Sequence, residues 1–145
     1  MEFLIRNATN EDFDSVYVLL EQLWPNKKLN KAEMNQVFSR AVLSTTDELF
    51  CAVLNGKVIG FCSYAILNNF WQEGYVSYVN AMVIDEKHRG EGYGSKMIQE
   101  VIEKSKKQGM KMVELDSGFH REKAHEFYVK LGFDKRAYTF SYIFH

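Results

Sequence analysis

The sequence predicts a mixed α/β (α+β) fold, a mostly antiparallel sheet flanked by helices, with element order β-α-α-β-β-β-α-β-α-β. Three observations predict it. Apolar runs of strand length occur at residues 2–7 and again between 48 and 84, where Asn55-Gly56 marks a tight two-residue hairpin. Stripes of helical period stand between and after these runs. Beyond residue 84, helix and strand alternate, which implies crossover connections and therefore a mixed sheet.

Each element has its own signal. Residues 2–7 read as a short strand. Thr9 and Asp12 form a variant of the capping box, followed by Phe13, Val16, Tyr17, Leu20, Leu23 and Trp24 at helical spacing. Pro25 and Asn26 end that helix. Met34, Val37, Phe38, Ala41 and Val42 share one face of a second helix. Residues 48–54 and 57–67 are the two hairpin strands. Residues 68–73 form a loop with exposed aromatics, and 74–84 a third strand of the group. A glycine-rich turn then leads into a helix that buries Met97, Ile98, Val101 and Ile102 and stops at Gly109. Residues 110–116 are a strand. Residues 121–131 are a helix with Ala124, Phe127, Tyr128 and Leu131 on one face, stopped by Gly132. Tyr138, Phe140, Tyr142 and Phe144 alternate as in a half-buried final strand.

The bulk properties bound the function. With 145 residues, a single proline (Pro25) and no low-complexity linker or repeat, residues 1–145 read as one domain. Hydrophobic residues make up 46% and charged residues 26%, a globular profile. The net charge of −1 gives no global attraction for nucleic acid or an anionic membrane. Lys104, Lys106, Lys107 and Lys111 cluster, but as the solvated end of a helix. No apolar run approaches the roughly 20 residues of a membrane span, and no signal segment is visible. Cys51 and Cys62 lie on adjacent apolar runs without metal-ligand spacing, the pattern of reduced core residues in a cytoplasmic protein. His88 and His125 show no metal geometry, and no metal is expected.

The segment Arg89-Gly90-Glu91-Gly92-Tyr93-Gly94-Ser95 carries the chemistry. Glycines at alternate positions let backbone approach a ligand closely. The first turn of the helix that follows offers unpaired N–H groups and a partial positive charge, which suit a phosphate. Arg89 adds a full charge and a planar donor fork. The phosphate-binding loop of nucleotide hydrolases is excluded, because Ser95-Lys96 is in the wrong order. The dinucleotide fingerprint fits poorly in spacing, and strands already precede the turn. A turn that binds nothing is the plain alternative.

Arg89-Gly90-x-Gly92-x-Gly94 resembles the acetyl-CoA motif of the GNAT N-acetyltransferase superfamily, Arg/Gln-x-x-Gly-x-Gly/Ala. About 35 residues on, Ala124-His125-Glu126-Phe127-Tyr128-Val129-Lys130-Leu131-Gly132-Phe133 resembles its second motif, Ala-x-x-Phe-Tyr-x-x-x-Gly-Phe. Residues 115–133 are also similar to the small-molecule branch that includes aminoalkylphosphonate acetyltransferases. The resemblance implies a direct attack of an amine on the thioester of acetyl-CoA. It implies that Met82, Val83 and Ile84 offer backbone groups to the pantetheine arm, and that Arg89, Gly90, Glu91, Gly92, Tyr93, Gly94 and Ser95 wrap the pyrophosphate. It implies that the strands at 74–84 and 110–116 splay to admit the cofactor. The N–H of Met82 is a candidate oxyanion donor. Tyr128 corresponds to the proton donor to the departing thiolate; pattern alone would make it a core aromatic.

The chain departs from the family pattern at Asn80 and Ala81, where many relatives carry an acid, and at Arg121, where many carry Asn. A general base is therefore open between His120, Glu73 and water. Trp24, Phe70, Trp71, Tyr75 and Tyr78 could wall an acceptor site, or equally serve a core or an interface. The expected partner is a small-molecule amine. A protein amino group, or acyl-CoA binding without turnover, are the alternatives. By edge-strand logic the aromatic C-terminal strand could pair across a homodimer.

Overall fold

The computed structural model describes residues 2–145, in two compact units that divide between Glu114 and Leu115. The sheet has five strands in the order β1-β2-β3-β4-β5, with β5 ending where the second unit begins. Its strands are β1 (Phe3–Asn7), β2 (Asp47–Leu54), β3 (Lys57–Asn69), β4 (Gly74–Ile84) and β5 (Val113–Leu115). The first four pair antiparallel. Backbone bonds from Lys111 N–H to Tyr75 O (2.8 Å) and from Ser77 N–H to Met112 O (2.9 Å) advance together along both segments, so β5 joins β4 in parallel. The helices are α1 (Phe13–Leu23), α2 (Lys31–Leu43) and α3 (Tyr93–Lys107), with α4 (Glu122–Lys130) in the second unit.

The continuous apolar run of β2 is explained by burial on both faces. Leu49, Cys51 and Val53 face α1 and α2, packing with Phe13, Val16, Leu20, Phe38 and Phe61. On the alternate face Phe50 meets Tyr64 edge-on at 6.0 Å and lies under the Lys104 ammonium of α3 at 5.7 Å. Gly60 admits α3 to that face: a Cβ there would meet Ile84 Cδ1 at 2.7 Å and Met97 Sδ at 3.0 Å. Deeper along α3, Ser77 and Ser105 share a buried 2.7 Å hydrogen bond. Burial pushes the thiols of Cys51 and Cys62 up to about 12, so both stay protonated.

Local signals mostly hold. Asn55 and Gly56 both take positive φ, +50° and +81°, as the predicted hairpin needs. Asp12 accepts from Thr9 N–H at 2.8 Å, the return half of a capping box. Asp12 also binds Arg6 bidentately at 2.8 and 2.9 Å, tying β1 to the start of α1. That bond, ahead of the opposing effect of burial, holds the Asp12 carboxyl below its ordinary range.

Two expectations need correction. The strand expected at 110–116 is only Val113–Leu115. The final strand does not form: residues 133–145 join no ladder, so the observed order ends at α4. Alternation specifies two faces but supplies no hydrogen-bond partner, and a strand needs both. Within the second unit this segment runs beside the loop after β5. Thr139 Oγ1 donates to Asp116 at 2.9 Å, and Tyr138 meets Phe119 at 5.8 Å. Among the described residues no helix is long and apolar enough to cross a membrane.

Candidate active site

β4 delivers the backbone on which the first half of the site is built. Ser63 pairs with Ala81 and Tyr64 with Val79, so Asn80 is the extra residue of a β-bulge. A bulge bends its strand and re-aims the residues beyond it. Past Asn80 the antiparallel ladder resumes, and Asp85 N–H donates to Ile59 O at 2.7 Å. Hydrogen bonding alternates in such a ladder. Val83 therefore turns its backbone toward β3, while Met82 and Ile84 turn theirs away. Arg89 Nε reads out that direction by donating to Ile84 O at 3.0 Å. Of the three residues expected to present backbone groups, Met82 and Ile84 have the outward ones, and the Ile84 carbonyl is taken by Arg89.

That bond also fixes Arg89. It engages Nε and leaves the two terminal nitrogens of the fork to reach outward from an exposed position. Between β4 and α3, a short 3-10 turn at Glu86–His88 is capped by Asp85, whose carboxylate accepts from Lys87 N–H at 3.2 Å. Gln22 of α1 braces the same turn by accepting from Glu86 N–H at 2.9 Å. Burial pushes the Asp85 carboxyl up, but the bonds from Lys87 and Gln22 outweigh it and hold it below its ordinary value.

The glycine turn comes next. Gly90 and Gly92 take φ +79° and +90°, which side-chain-bearing residues rarely adopt. No atom lies within 4 Å of where a Cβ would stand on either, so the surface above them is open. Gly94 is already helical, one residue after Tyr93 opens α3. That helix differs from the others at its start. Gly92 supplies no side-chain cap, and the first turn has no acid, whereas α1, α2 and α4 carry Asp14, Glu33 and Glu122 there. The N–H groups of Tyr93, Gly94 and Ser95 thus lack the usual protein-supplied negative charge, and an anion suits them. Glu91 leans to His88 Nδ1 at 3.6 Å. The Tyr93 ring is 7% exposed and stacks on Phe3 at 4.8 Å, so its side chain fastens α3 to β1 and only its backbone can serve a ligand.

The second unit carries the other predicted residue. Tyr128 sits half-buried on α4, edge-on to Phe127 at 5.2 Å and Phe133 at 5.7 Å. His125 Nε2 lies 2.8 Å from Gly118 O, so the histidine holds the loop before its own helix. Of the alternative bases, Glu73 is in the β3–β4 turn at positive φ (+56°), and His120 is in the loop before α4. Phe70 and Trp71, expected in an exposed loop, are exposed. Among the described residues no three His, Cys, Asp or Glu side chains come together as metal ligands. Sequence reasoning missed the bulge at Asn80 and the buried, unbonded Ser117 Oγ after β5. Neither has a sequence signal, because both depend on register and packing.

Comparison with known proteins bears on this arrangement. The acetyltransferase (GNAT) family matches residues 13–133. The chain is 27% identical over 137 residues to aminoalkylphosphonate N-acetyltransferase of Salmonella typhimurium, covering 94% of this chain and 88% of that protein. It is 30% identical over 131 residues to glucosamine 6-phosphate N-acetyltransferase of Trypanosoma brucei brucei, covering 89% and 87%. A solved structure from Bacillus halodurans, described as a transcriptional regulator, superposes with a TM-score of 0.90 at 21% identity, covering 99% of this chain and 100% of that one. At that identity the likeness concerns the fold.

Proposed function

The chain belongs to the GNAT acetyltransferase family and is an N-acetyltransferase; from that premise we propose that it moves the acetyl group of acetyl-CoA to the primary amine of a small molecule. The observation that carries the cofactor reading is the turn at Gly90 and Gly92, with its two left-handed glycines, the oriented Arg89 and a helix start free of acid. A pyrophosphate fits that cradle. Acetyl-CoA would supply the activated thioester; the protein's residues do the rest.

In this reading the Met82 backbone groups, turned away from β3 beyond the bulge, hold the pantetheine amide and face the developing oxyanion. Val83 supports them from within the ladder, and Ile84 fixes Arg89. Glu91 and Ser95 flank the pyrophosphate, and Tyr93 and Gly94 offer it their N–H groups. The enzyme gains most of its rate by aligning two bound reactants. Tyr128 donates its phenolic proton to the departing thiolate, whose pKa is roughly 8.5 by analogy with cysteine. The two motifs fall in different compact units, but the family match runs through both, so residues 1–145 are read as one functional domain.

The relatives' names favour an amine that also carries a phosphorus oxyanion. The test is CoA-thiol release with 2-aminoethylphosphonate, glucosamine 6-phosphate, spermidine and a peptide with a free N-terminus. Turnover confined to the first two supports the reading. Turnover only with the peptide would move the acceptor to a protein amino group. The protein is further read as a cytoplasmic homodimer. Its aromatic segment supports pairing: Phe140 and Tyr142 are 93% and 88% exposed, on the alternation of a strand that lacks a ladder. A solution mass of 16.9 kDa at micromolar concentration would contradict the dimer.

A further inference from the structure

The end of α4 is built around Tyr128. The helix spans only Glu122–Lys130, and none of its side chains is fully buried, so the fixed contacts at its end matter to the ring's direction. Gly132 takes φ +100°. Its N–H donates to Val129 O at 3.0 Å, and Phe133 N–H donates to Tyr128 O at 3.0 Å. With Leu131 as the C-cap, these are the two crossed bonds of a Schellman stop, and Phe133 and Tyr128 are the pair of positions whose side chains commonly meet across it. They do meet: the rings are 5.7 Å apart at 66°, an edge-on contact. Phe127 also meets the Tyr128 ring edge-on, at 5.2 Å and 65°.

We propose that Gly132 and Phe133 are positioning residues for Tyr128, the helix stop fixing the direction of the phenol that serves as proton donor. The Gly-Phe pair of the second motif thereby gains a catalytic consequence without touching substrate. Only a residue tolerant of the left-handed conformation turns the chain so that the next ring lands on Tyr128. The proposal rests on the reading of Tyr128 as the proton donor.

The test is a double-mutant cycle in kcat, with whichever amine releases CoA fastest. Tyr128→Phe should lower kcat about 100-fold. Phe133→Ala should lower it about tenfold while leaving the KM for acetyl-CoA within about twofold, as expected when only transition-state alignment is lost. The combined variant should be no slower than Tyr128→Phe, because positioning acts through the hydroxyl alone. Phe133→Tyr, which keeps the ring edge, should restore the rate. If Phe133→Ala melts before assay, Phe133→Leu keeps the apolar bulk and should still lose rate. In protein labelled with 13C-tyrosine, the ring signals absent from Tyr128→Phe should shift in Phe133→Ala and return in Phe133→Tyr. Unmoved signals, an unchanged kcat or losses that multiply in the combined variant would each overturn the positioning role. A Tyr128→Phe protein of full activity would instead remove the proton-donor reading beneath it.

Discussion

The two compact units of the chain have similar proportions of apolar residues and use them to different ends. In the unit up to Glu114 both faces of β2 and β3 are buried, and Gly60 lets Met97 sit against the sheet. In the unit from Leu115 no α4 side chain is fully buried, and Phe119, Tyr138, Phe140, Tyr142 and Phe144 are largely exposed. Hydrophobicity alone therefore does not make a core. A strand becomes part of one when its backbone finds a ladder and its faces find helices. The tightly packed unit carries the glycine turn, where preorganised N–H groups need a rigid base. The open unit carries the aromatic surface.

Substitutions that remove similar bulk in each unit should separate them most sharply. Met97→Ala deletes a fully buried side chain and should cost about 3 kcal/mol in urea unfolding. Phe140→Ser should change the unfolding free energy of the single chain by less than about 0.5 kcal/mol. Equal costs would mean that the aromatic segment is packed after all. A smaller effect is expected at the turn. Gly92→Ala forces a Cβ into φ +90° and should cost about 1–2 kcal/mol, weakening acetyl-CoA binding about tenfold by titration. Unchanged binding would show that the turn's conformation is irrelevant to the ligand.

A smaller effect than at the turn belongs to the clamp at the edge of the packed unit. Arg6 is partly exposed and Asp12 is buried, so Arg6→Ala should cost about 1 kcal/mol at neutral pH. The Asp12 carboxyl is held below its unfolded value, which is roughly 3.9. Its contribution is therefore complete above that value and is lost as pH falls through the folded pKa. The difference between the wild type and Arg6→Ala should shrink over that acidic window. A difference that persists at the lowest pH would assign it to packing of the arginine stem.

Legibility in the sequence divides along the same line. Asn55-Gly56 announced its hairpin because two positive-φ residues act locally. The glycine turn and the Gly132 stop were legible for the same reason. Asn80 was not, since a bulge exists only relative to Ser63 and Tyr64 on the neighbouring strand. Tyr93 stood in the motif, but its stacking on Phe3 joins residues 90 positions apart. Alternation at 138–144 predicted a strand that the chain does not form, since sequence period fixes faces and not partners. Thr9 and Asp12 gave away half of a clamp whose other half, Arg6, had no local mark.

The most direct test of the central claim is thermal unfolding with acetyl-CoA, CoA, NAD and ATP at equal concentrations. A ligand at about 100 times its Kd adds about 2.7 kcal/mol, a readily measured rise in Tm. The account predicts that acetyl-CoA and CoA raise the Tm and that NAD and ATP do not. A rise with NAD or ATP alone, or none with either form of CoA, would contradict it.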